Sequence, residues 1–320
     1  MKIEKIPVFA RRGSDGVYEI GFSSQGRYRV FYGNKMFESK GESLKIEVPF
    51  PGERAVFSVR RDDEADETYV SEKLIPMCGV PNFRDLGGII NKNGKQIKWG
   101  KIFRSGMLSR LTGEDSLYFK TLAIKTVIDF RGDREAEREP DKLPRDYPVN
   151  YIRVPVGNPS DIEKLSDILG RSREAEKTFK SLVLRGAEIL TGSPEHFKPV
   201  FEAMERGETF LFHCSAGKDR TGFAAALILS ALDVGRDEIV DDYLLSNKYA
   251  VPYFEKYISI ITDMGISKDI ALAATGVRKE FLDAVFAMID AKYGNFDNML
   301  SEVFGIDAGK KSRLMEKYTI

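Results

Sequence analysis

The stretch of sequence that decides the fold is residues 213–222, which read His-Cys-Ser-Ala-Gly-Lys-Asp-Arg-Thr-Gly. It follows an apolar segment, 209–212, that predicts a strand, and it precedes an apolar segment, 223–232, that predicts a buried helix. A loop from a strand end to a helix start gathers backbone N–H groups around one point, and the helix dipole adds positive potential there. The small Ala216 and Gly217 let the backbone wrap closely around a ligand. The stretch therefore predicts a phosphate cradle, formed by Ser215, Ala216, Gly217, Lys218, Asp219 and Arg220.

Four side chains of this stretch predict nucleophilic attack on phosphorus. Cys214 begins the loop, and a cysteine beside a cation at a helix N-terminus is favoured as the thiolate, the nucleophilic form. Arg220 lies six positions later, and its planar fork can bind two phosphate oxygens, which a lysine cannot do. The Thr221 hydroxyl can assist the departure of the sulfur, and His213 is expected to orient the loop and hold the thiolate. These residues predict a covalent phospho-cysteine intermediate.

Two residues of the loop also have plainer interpretations. A cysteine after an apolar strand is usually an inert core residue. Here the chain has two cysteines, Cys78 and Cys214, and the second stands between a histidine and a later arginine, which favours the reactive interpretation. Lys218 is either a solvent-facing loop residue or a contact for an additional phosphate. Cys78 is expected to be a buried or linker cysteine without a redox role.

From residue 73 onward the pattern alternates between strands and helices. Four apolar segments predict strands, at 101–103, 126–130, 151–154 and 209–212. A helical pattern covers 162–190 and most of the chain after Arg220, and Thr112 with Asp115 is a capping-box signature. This alternation predicts an α/β fold, with a mostly parallel sheet flanked by helices.

Residues 1–72 have a different pattern, in which short alternating segments are separated by turn-forming residues. The segments are 18–22, 28–32, 44–48 and 55–59. Short strands at this spacing predict a small all-β sandwich of the immunoglobulin or fibronectin type. The predicted domains are therefore 1–72 and 73–320. The first of them could contact another protein or a surface.

Composition excludes several classes of partner. The net charge is zero and there are two histidines and two cysteines in 320 residues, so we expect no nucleic-acid partner, no metal and no cofactor. No apolar run reaches the length of a transmembrane helix. No signal peptide is visible, which leaves a cytoplasmic protein or an exported one whose signal has been removed.

The loop resembles the signature of the protein tyrosine phosphatase superfamily, which is His-Cys, five residues and Arg-Thr-Gly. Its Gly-Lys-Asp-Arg-Thr-Gly ending is similar to the bacterial and fungal tyrosine phosphatase branch. Other segments resemble that branch in the same order, namely 82–88, 103–106, 127–135, 242–247 and 277–278. The resemblance covers roughly residues 74–320. It implies the cysteine-phosphatase fold and dephosphorylation without a metal or cofactor.

The general acid has two candidates. Asp129 stands at the carboxyl end of a predicted strand, and the resemblance implies that it protonates the leaving group. Its plainer interpretation is an ion pair with Arg131 or Arg134. Asp219, in the loop itself, could serve as the acid instead or could activate water. The charged run 131–138 predicts a solvated helix face.

The substrate also has more than one candidate. The resemblance implies a phosphotyrosine protein. Phosphoinositide phosphatases resemble the loop in having a lysine where this chain has Lys218, which keeps phosphoinositides and broader specificity open. A module that binds phosphate without turnover is a further alternative. Arg84 and Asp85 are expected to pair with each other and to support the site.

Overall fold

The computed structural model describes residues 8–13, 16–48, 54–62, 67–157, 175–250, 255–263 and 268–320. Seven strands come first, namely β1 (Val8–Arg12), β2 (Val17–Phe22), β3 (Tyr28–Tyr32), β4 (Lys35–Ser39), β5 (Ser43–Glu47), β6 (Phe57–Arg61) and β7 (Glu67–Val70). They pair as two antiparallel sheets, in the order β1-β2-β5 and β4-β3-β6-β7. We call these seven strands, with the described segments that connect them, the β module.

The β module has its own apolar core because its strands alternate inward and outward side chains. Tyr18 and Ile20 of β2 and Val30, Phe57 and Val59 of the other sheet are buried in one cluster. Four of its strands follow segments that the sequence predicted, whereas β1, β4 and β7 were missed. Strand β4 is largely exposed, so its sequence lacks the apolar alternation that reveals a strand.

A third sheet carries the site and contains β8 (Arg84–Asp85), β9 (Ile102–Ser105), β10 (Thr126–Asp129), β11 (Asn150–Arg153) and β12 (Phe210–His213). Its order is β11-β10-β12-β9-β8. Three pairings are parallel, but β8 runs antiparallel to β9, so the sheet is mixed rather than uniformly parallel. The described chain between β8 and β9 contains no helix, and an antiparallel neighbour needs no helical crossover.

Eleven helices are described, namely α1 (Gly113–Thr121), α2 (Asp133–Arg138), α3 (Ala175–Gly192), α4 (Lys198–Glu205), α5 (Asp219–Ala231), α6 (Arg236–Tyr249), α7 (Glu255–Asp263), α8 (Lys268–Thr275), α9 (Lys279–Tyr293), α10 (Phe296–Phe304) and α11 (Ala308–Tyr318). The predicted capping box of Thr112 and Asp115 is confirmed at α1. Of the predicted helix 162–190, residues 175–190 lie in α3 and 162–174 lie outside the described residues. Within the described chain, no helix is both long and apolar enough to cross a membrane.

The sheet and α5 together place the predicted site. Strands β10 and β12 are parallel neighbours, with Asp129 opposite His213, so both end at the same edge of the sheet. Helix α5 begins at Asp219, directly after the loop, and its residues 223–229 are all buried. The predicted strand–loop–helix arrangement around residues 213–222 is therefore present, and the loop is held between two core elements.

Candidate active site

The loop between β12 and α5, together with Asp219 at the start of α5, is called the signature loop here and comprises residues 214–219. Cys214 begins it and is only 3% exposed. Gly217 has a φ of +69°, and a Cβ at this position would lie 2.4 Å from the backbone of Ser105. Only glycine combines this φ with such a close approach. The signature loop is thus pressed against the carboxyl end of β9, as a closely wrapped anion site requires.

Two carbonyl groups of the signature loop are bound from outside the loop. The Met107 amide donates to the carbonyl of Ser215 at 3.0 Å. The side chains of Asn82 and Arg104 donate to the carbonyl of Gly217, at 2.8 and 3.0 Å. Because C=O and N–H point in opposite directions across a trans peptide, these bonds turn the N–H groups of the next residues towards the inside of the loop. This geometry suits an anion.

Beneath the signature loop lies a buried charge cluster. Arg84 and Arg104 are fully buried, and Asp242 accepts from both, at 3.2 Å from Arg84 Nε and 2.7 Å from Arg104 Nη1. Burial would raise the pKa of Asp242, but the two guanidinium groups outweigh it and lower that pKa. The expected pair of Arg84 with Asp85 is wrong. These neighbours in β8 point to opposite faces, and Asp85 pairs with Arg54 of the β module.

Arg220, at the N-terminal end of α5, is bound by the carboxylate of Glu135, to which the sequence analysis assigned no role. Its Nη1 and Nη2 donate to the two oxygens of Glu135 at 2.6 and 2.8 Å. Glu135 also accepts from the Ser215 hydroxyl and from the Gly132 amide. Burial would raise the pKa of Glu135, but the bonds from Arg220 outweigh it and lower the pKa to about 2. The prediction of a solvated helix face at 131–138 is wrong for Arg131, which is 1% exposed, and for Glu135, which binds Arg220.

Asp129 is fully buried and forms an ion pair with Arg131. Arg131 Nε and Nη2 donate to its two oxygens at 2.9 Å each, and the Tyr151 hydroxyl lies 2.8 Å from Asp129 Oδ2. Burial would raise the pKa of Asp129, but His213 and Arg131 outweigh it and lower that pKa. These are the surroundings of a carboxylate kept ionised. The role of Asp129 as general acid therefore stays a prediction, and the plainer ion-pair interpretation matches its contacts.

His213 belongs to the same buried group of charges. Its Nε2 lies 3.1 Å from an oxygen of Asp141, and its Nδ1 lies 3.8 Å from Asp129 and 3.3 Å from the carbonyl of Cys214. Burial alone would lower the pKa of His213, but Asp141 and then Asp129 outweigh it and raise that pKa. The charged form of His213 is thus favoured beside Cys214. Asp141 was not singled out from the sequence, because nothing in the residues around it indicates its partner.

Three of these groups have ligand atoms close enough for a metal ion. Asp129, Asp141 and His213 each contribute an atom, and all lie within 4.8 Å of one another. However, the guanidinium of Arg131 contacts both carboxylates at 2.9 Å. An arginine therefore already provides the positive charge that a metal would bring.

The remaining predicted residues lie at the start of α5. Asp219 is half-exposed, and the Tyr243 hydroxyl donates to its Oδ1 at 3.1 Å. Lys218 Nζ donates to the carbonyl of Gly276 at 3.0 Å and lies 3.8 Å from Asp219. The Thr221 hydroxyl is buried and has no hydrogen-bond partner among the described residues, and its role in the departure of the Cys214 sulfur stays a prediction. Asp219 is thus the one of the two candidate acids that solvent reaches.

Comparisons with known proteins agree with this geometry. The family model described as the tyrosine phosphatase family matches residues 75–320. A Cupriavidus necator protein, provisionally named a tyrosine-protein phosphatase, is 31% identical over 236 residues, which cover 72% of this chain and 84% of that protein. The triple specificity protein phosphatase PtpB of Mycobacterium tuberculosis is 29% identical over 269 residues, which cover 74% of this chain and 95% of PtpB. The chain therefore belongs to the tyrosine phosphatase family, and it is a cysteine-based phosphatase, as its sequence predicted.

Proposed function

We propose that this protein hydrolyses phosphotyrosine through a phospho-cysteine intermediate on Cys214. The observation that carries the proposal is the signature loop, whose Ser215 and Gly217 carbonyls are bound outward while Cys214 and Arg220 stand at its two ends. Inward N–H groups and a guanidinium offer a transferring phosphoryl group the compensation it needs as charge develops on its oxygens.

The reaction has two steps. The Cys214 thiolate attacks phosphorus, an S–P bond forms, and the bond from phosphorus to the leaving oxygen breaks while an acid protonates that oxygen. Water then attacks the phosphorus and loses a proton to the same residue, now a base, and the S–P bond breaks to return the thiolate. Arg220 binds the phosphoryl oxygens throughout, and Ser215 keeps Glu135 in place beside it.

We assign the acid and base role to Asp219. It stands in the signature loop, is half-exposed, and is oriented by the hydroxyl of Tyr243. The carboxylate of Asp129 is instead bound by Arg131 at 2.9 Å and lies 3.8 Å from His213 Nδ1. A carboxylate held ionised by an arginine is a poor proton donor.

The substrate proposal is phosphotyrosine first, with broader specificity as the second candidate. One relative is named a triple specificity phosphatase, and Lys218 brings a second cation next to Arg220. A phosphoinositide or phosphoserine is therefore the alternative substrate for the same site. In domain terms, we propose a β-sandwich over 1–72, resembling immunoglobulin and fibronectin modules, and a phosphatase domain over 73–320.

The test is steady-state hydrolysis of phosphotyrosine, phosphoserine and phosphoinositide substrates at matched concentrations, with vanadate as inhibitor and a chelator as control. We expect phosphotyrosine to be hydrolysed fastest and the chelator to have no effect. Cys214→Ser should abolish turnover while phosphate still binds. Turnover that survives in Cys214→Ser would refute the mechanism, and phosphate binding without turnover in the unsubstituted protein would identify a binding module.

A further inference from the structure

The β module contacts the rest of the protein through a buried arginine. Arg54 is 5% exposed and donates to the carboxylate of Asp85 and to the carbonyl of Glu72. Its guanidinium carbon lies 5.5 Å from the centre of the Trp99 ring and 5.7 Å from that of Phe103. Burial would lower the pKa of Arg54, but Asp85 and then Glu72 outweigh it and raise that pKa. Arg54 is therefore a permanent positive charge at this boundary.

Asp85 depends on that charge. It is fully buried, and among the described residues its carboxylate accepts from Arg54 and from the backbone amides of Gly87 and Gly100, the last two at 2.7 and 2.6 Å. Removing one partner of a buried ion pair leaves the other charge uncompensated, which is destabilising. Without Arg54, the Asp85 carboxylate loses its ion-pair partner and keeps the two backbone donors, which favours a shift of the two-residue strand β8.

Arg84, the other residue of β8, connects this strand to the signature loop. It donates to the carbonyl of Asp242 at 2.8 Å and to the side-chain oxygen of Asn82. Asn82 has a φ of +58°, which is uncommon outside glycine, and its Nδ2 donates to the carbonyl of Gly217 at 2.8 Å. A shift of Arg84 therefore releases Asn82 from the position in which it holds the signature loop.

A second path joins the same two points. Asp242 accepts from both Arg84 and Arg104, and Arg104 Nη2 donates to the carbonyl of Gly217 at 3.0 Å. Arg84 therefore reaches both side chains that bind this carbonyl. It contacts Asn82 directly, and it is connected to Arg104 through Asp242. The orientation of the Lys218 amide, across the same peptide bond, follows from that carbonyl.

From these contacts we propose that Arg54, in the β module, is a positioning residue for the signature loop. It acts through Asp85 and Arg84 on the carbonyl of Gly217. The β module is then a working part of the phosphatase rather than an appended binding module. The inference rests on the proposed activity of Cys214, since it concerns the shape of that residue's loop.

The first test compares Arg54→Met with Arg29→Met in the full chain. Arg29 lies in the same module and forms an exposed ion pair with Asp62, so it is a matched control. Networks of this kind change coupling by about 0.5–2 kcal/mol, so we expect Arg54→Met to lower kcat by about three- to thirtyfold and to weaken vanadate binding. Arg29→Met should leave both unchanged. Measurements are made on folded protein, well below the unfolding temperature of each variant.

A further variant separates positioning from stability. Glu72 contacts the same guanidinium, with its Oε1 3.3 Å from Arg54 Nε, and its carboxylate forms no hydrogen bond or ion pair with β8 among the described residues. Glu72→Gln should lower the unfolding temperature as Arg54→Met does, while kcat stays within about twofold. Equal losses of kcat in the two variants, or no loss in Arg54→Met, would overturn the proposal. If Arg54→Met does not fold, Arg54→Lys tests the same fork-shaped contact with the charge retained.

A double-mutant cycle measures the coupling between Arg54 and Asn82 most directly. Arg54 and Asn82 are not hydrogen-bonded to each other, so Arg54→Met and Asn82→Ala should be non-additive in kcat/KM only if they act along one path. Additive losses would contradict the proposal. Vanadate binding is measured in parallel. If the unsubstituted protein proves inactive, the proposed function fails, and the vanadate affinities of the same variants still decide whether Arg54 positions the loop.

Discussion

Two arginine–carboxylate pairs near the signature loop are both bidentate but have different surroundings. Arg220 and Glu135 keep 13% and 19% of their side chains exposed. Arg131 and Asp129 keep 1% and 0%, and a second acid, Asp141, contacts Arg131 at 2.9 Å. An arginine that must bind an incoming anion retains an open side and one carboxylate. An arginine surrounded by two buried carboxylates, such as Arg131, instead stabilises the folded structure.

Replacing each arginine by lysine tests this difference most directly. Arg220→Lys keeps the charge and loses the fork, so we expect kcat to fall by about 10²–10³ with little change in unfolding temperature. Arg131→Lys should instead lower the free energy of unfolding, by about 3 kcal/mol, because two buried carboxylates lose their matched partner. Steady-state kinetics and urea unfolding of both variants provide the measurements.

This interpretation would be wrong if the two substitutions had the same effects on kcat and on the free energy of unfolding. A stable Arg131→Lys with a large loss of kcat would place Arg131 in the reaction. A strongly destabilised Arg220→Lys would make Arg220 structural. Arg236→Lys, at an exposed pair with Asp290, is the control for the substitution itself.

The candidate acids allow a second test, with an expected effect of about a hundredfold. Asp219→Asn should lower kcat most for substrates whose leaving group is a poor one, since those need the proton most. The difference should shrink for a phenol of low pKa. Asp129→Asn should lower stability and show no such dependence on the leaving group. If the dependence appears in Asp129→Asn instead, the acid is Asp129, as the family resemblance implied.

A smaller effect is expected at Glu135. Glu135→Gln keeps the shape and weakens the bonds that orient Arg220, so kcat/KM should fall by about tenfold, or about 1.4 kcal/mol. The exposed Glu114, in the first turn of α1, offers a matched Glu→Gln control. An unchanged kcat/KM in Glu135→Gln would show that the signature loop orients Arg220 without help.

The smallest expected effect is the pH dependence of the folding stability that His213 contributes. The pKa of His213 is raised above its ordinary 6.5, first by Asp141, so its pairing stabilises the fold fully below about pH 6.5 and that gain disappears as pH rises through the raised pKa. The stability difference between the unsubstituted protein and Asp141→Asn should therefore shrink towards alkaline pH. NMR titration of the two histidines, with His196→Gln to assign the signals, would detect the raised pKa directly. A His213 titration at or below 6.5 would contradict this assignment.

Part of the site was predictable because it is local. Residues 213–222 carry the strand, the loop and the helix start within one segment, so Cys214 and Arg220 could be placed without long-range information. Glu135, Asp141 and Asp242 could not be placed in this way. Each becomes part of the site through a partner 72 to 158 residues away, such as His213 or Arg84, and charged residues on helices and loops are most often solvated.

Prediction of the fold from the sequence had the same limit, because local patterns reveal only some of the strands. Strands with buried alternating side chains, such as β2 and β3, were predicted close to their ends. Strand β8 has two residues, too few for any periodic pattern, and its antiparallel direction is set by its pairing with β9. The ion pair expected between Arg84 and Asp85 failed for a related reason, since neighbours in a strand cannot face each other.

The outward-bound carbonyls of Ser215 and Gly217 have a thermodynamic consequence. Because Met107, Asn82 and Arg104 fix the loop during folding, its conformational entropy is lost before any ligand arrives. An oxyanion then binds a preorganised receptor and pays little for ordering it. The same rigidity makes the oxyanion a ligand of the native state alone, so saturating it should raise the melting temperature with the logarithm of its concentration.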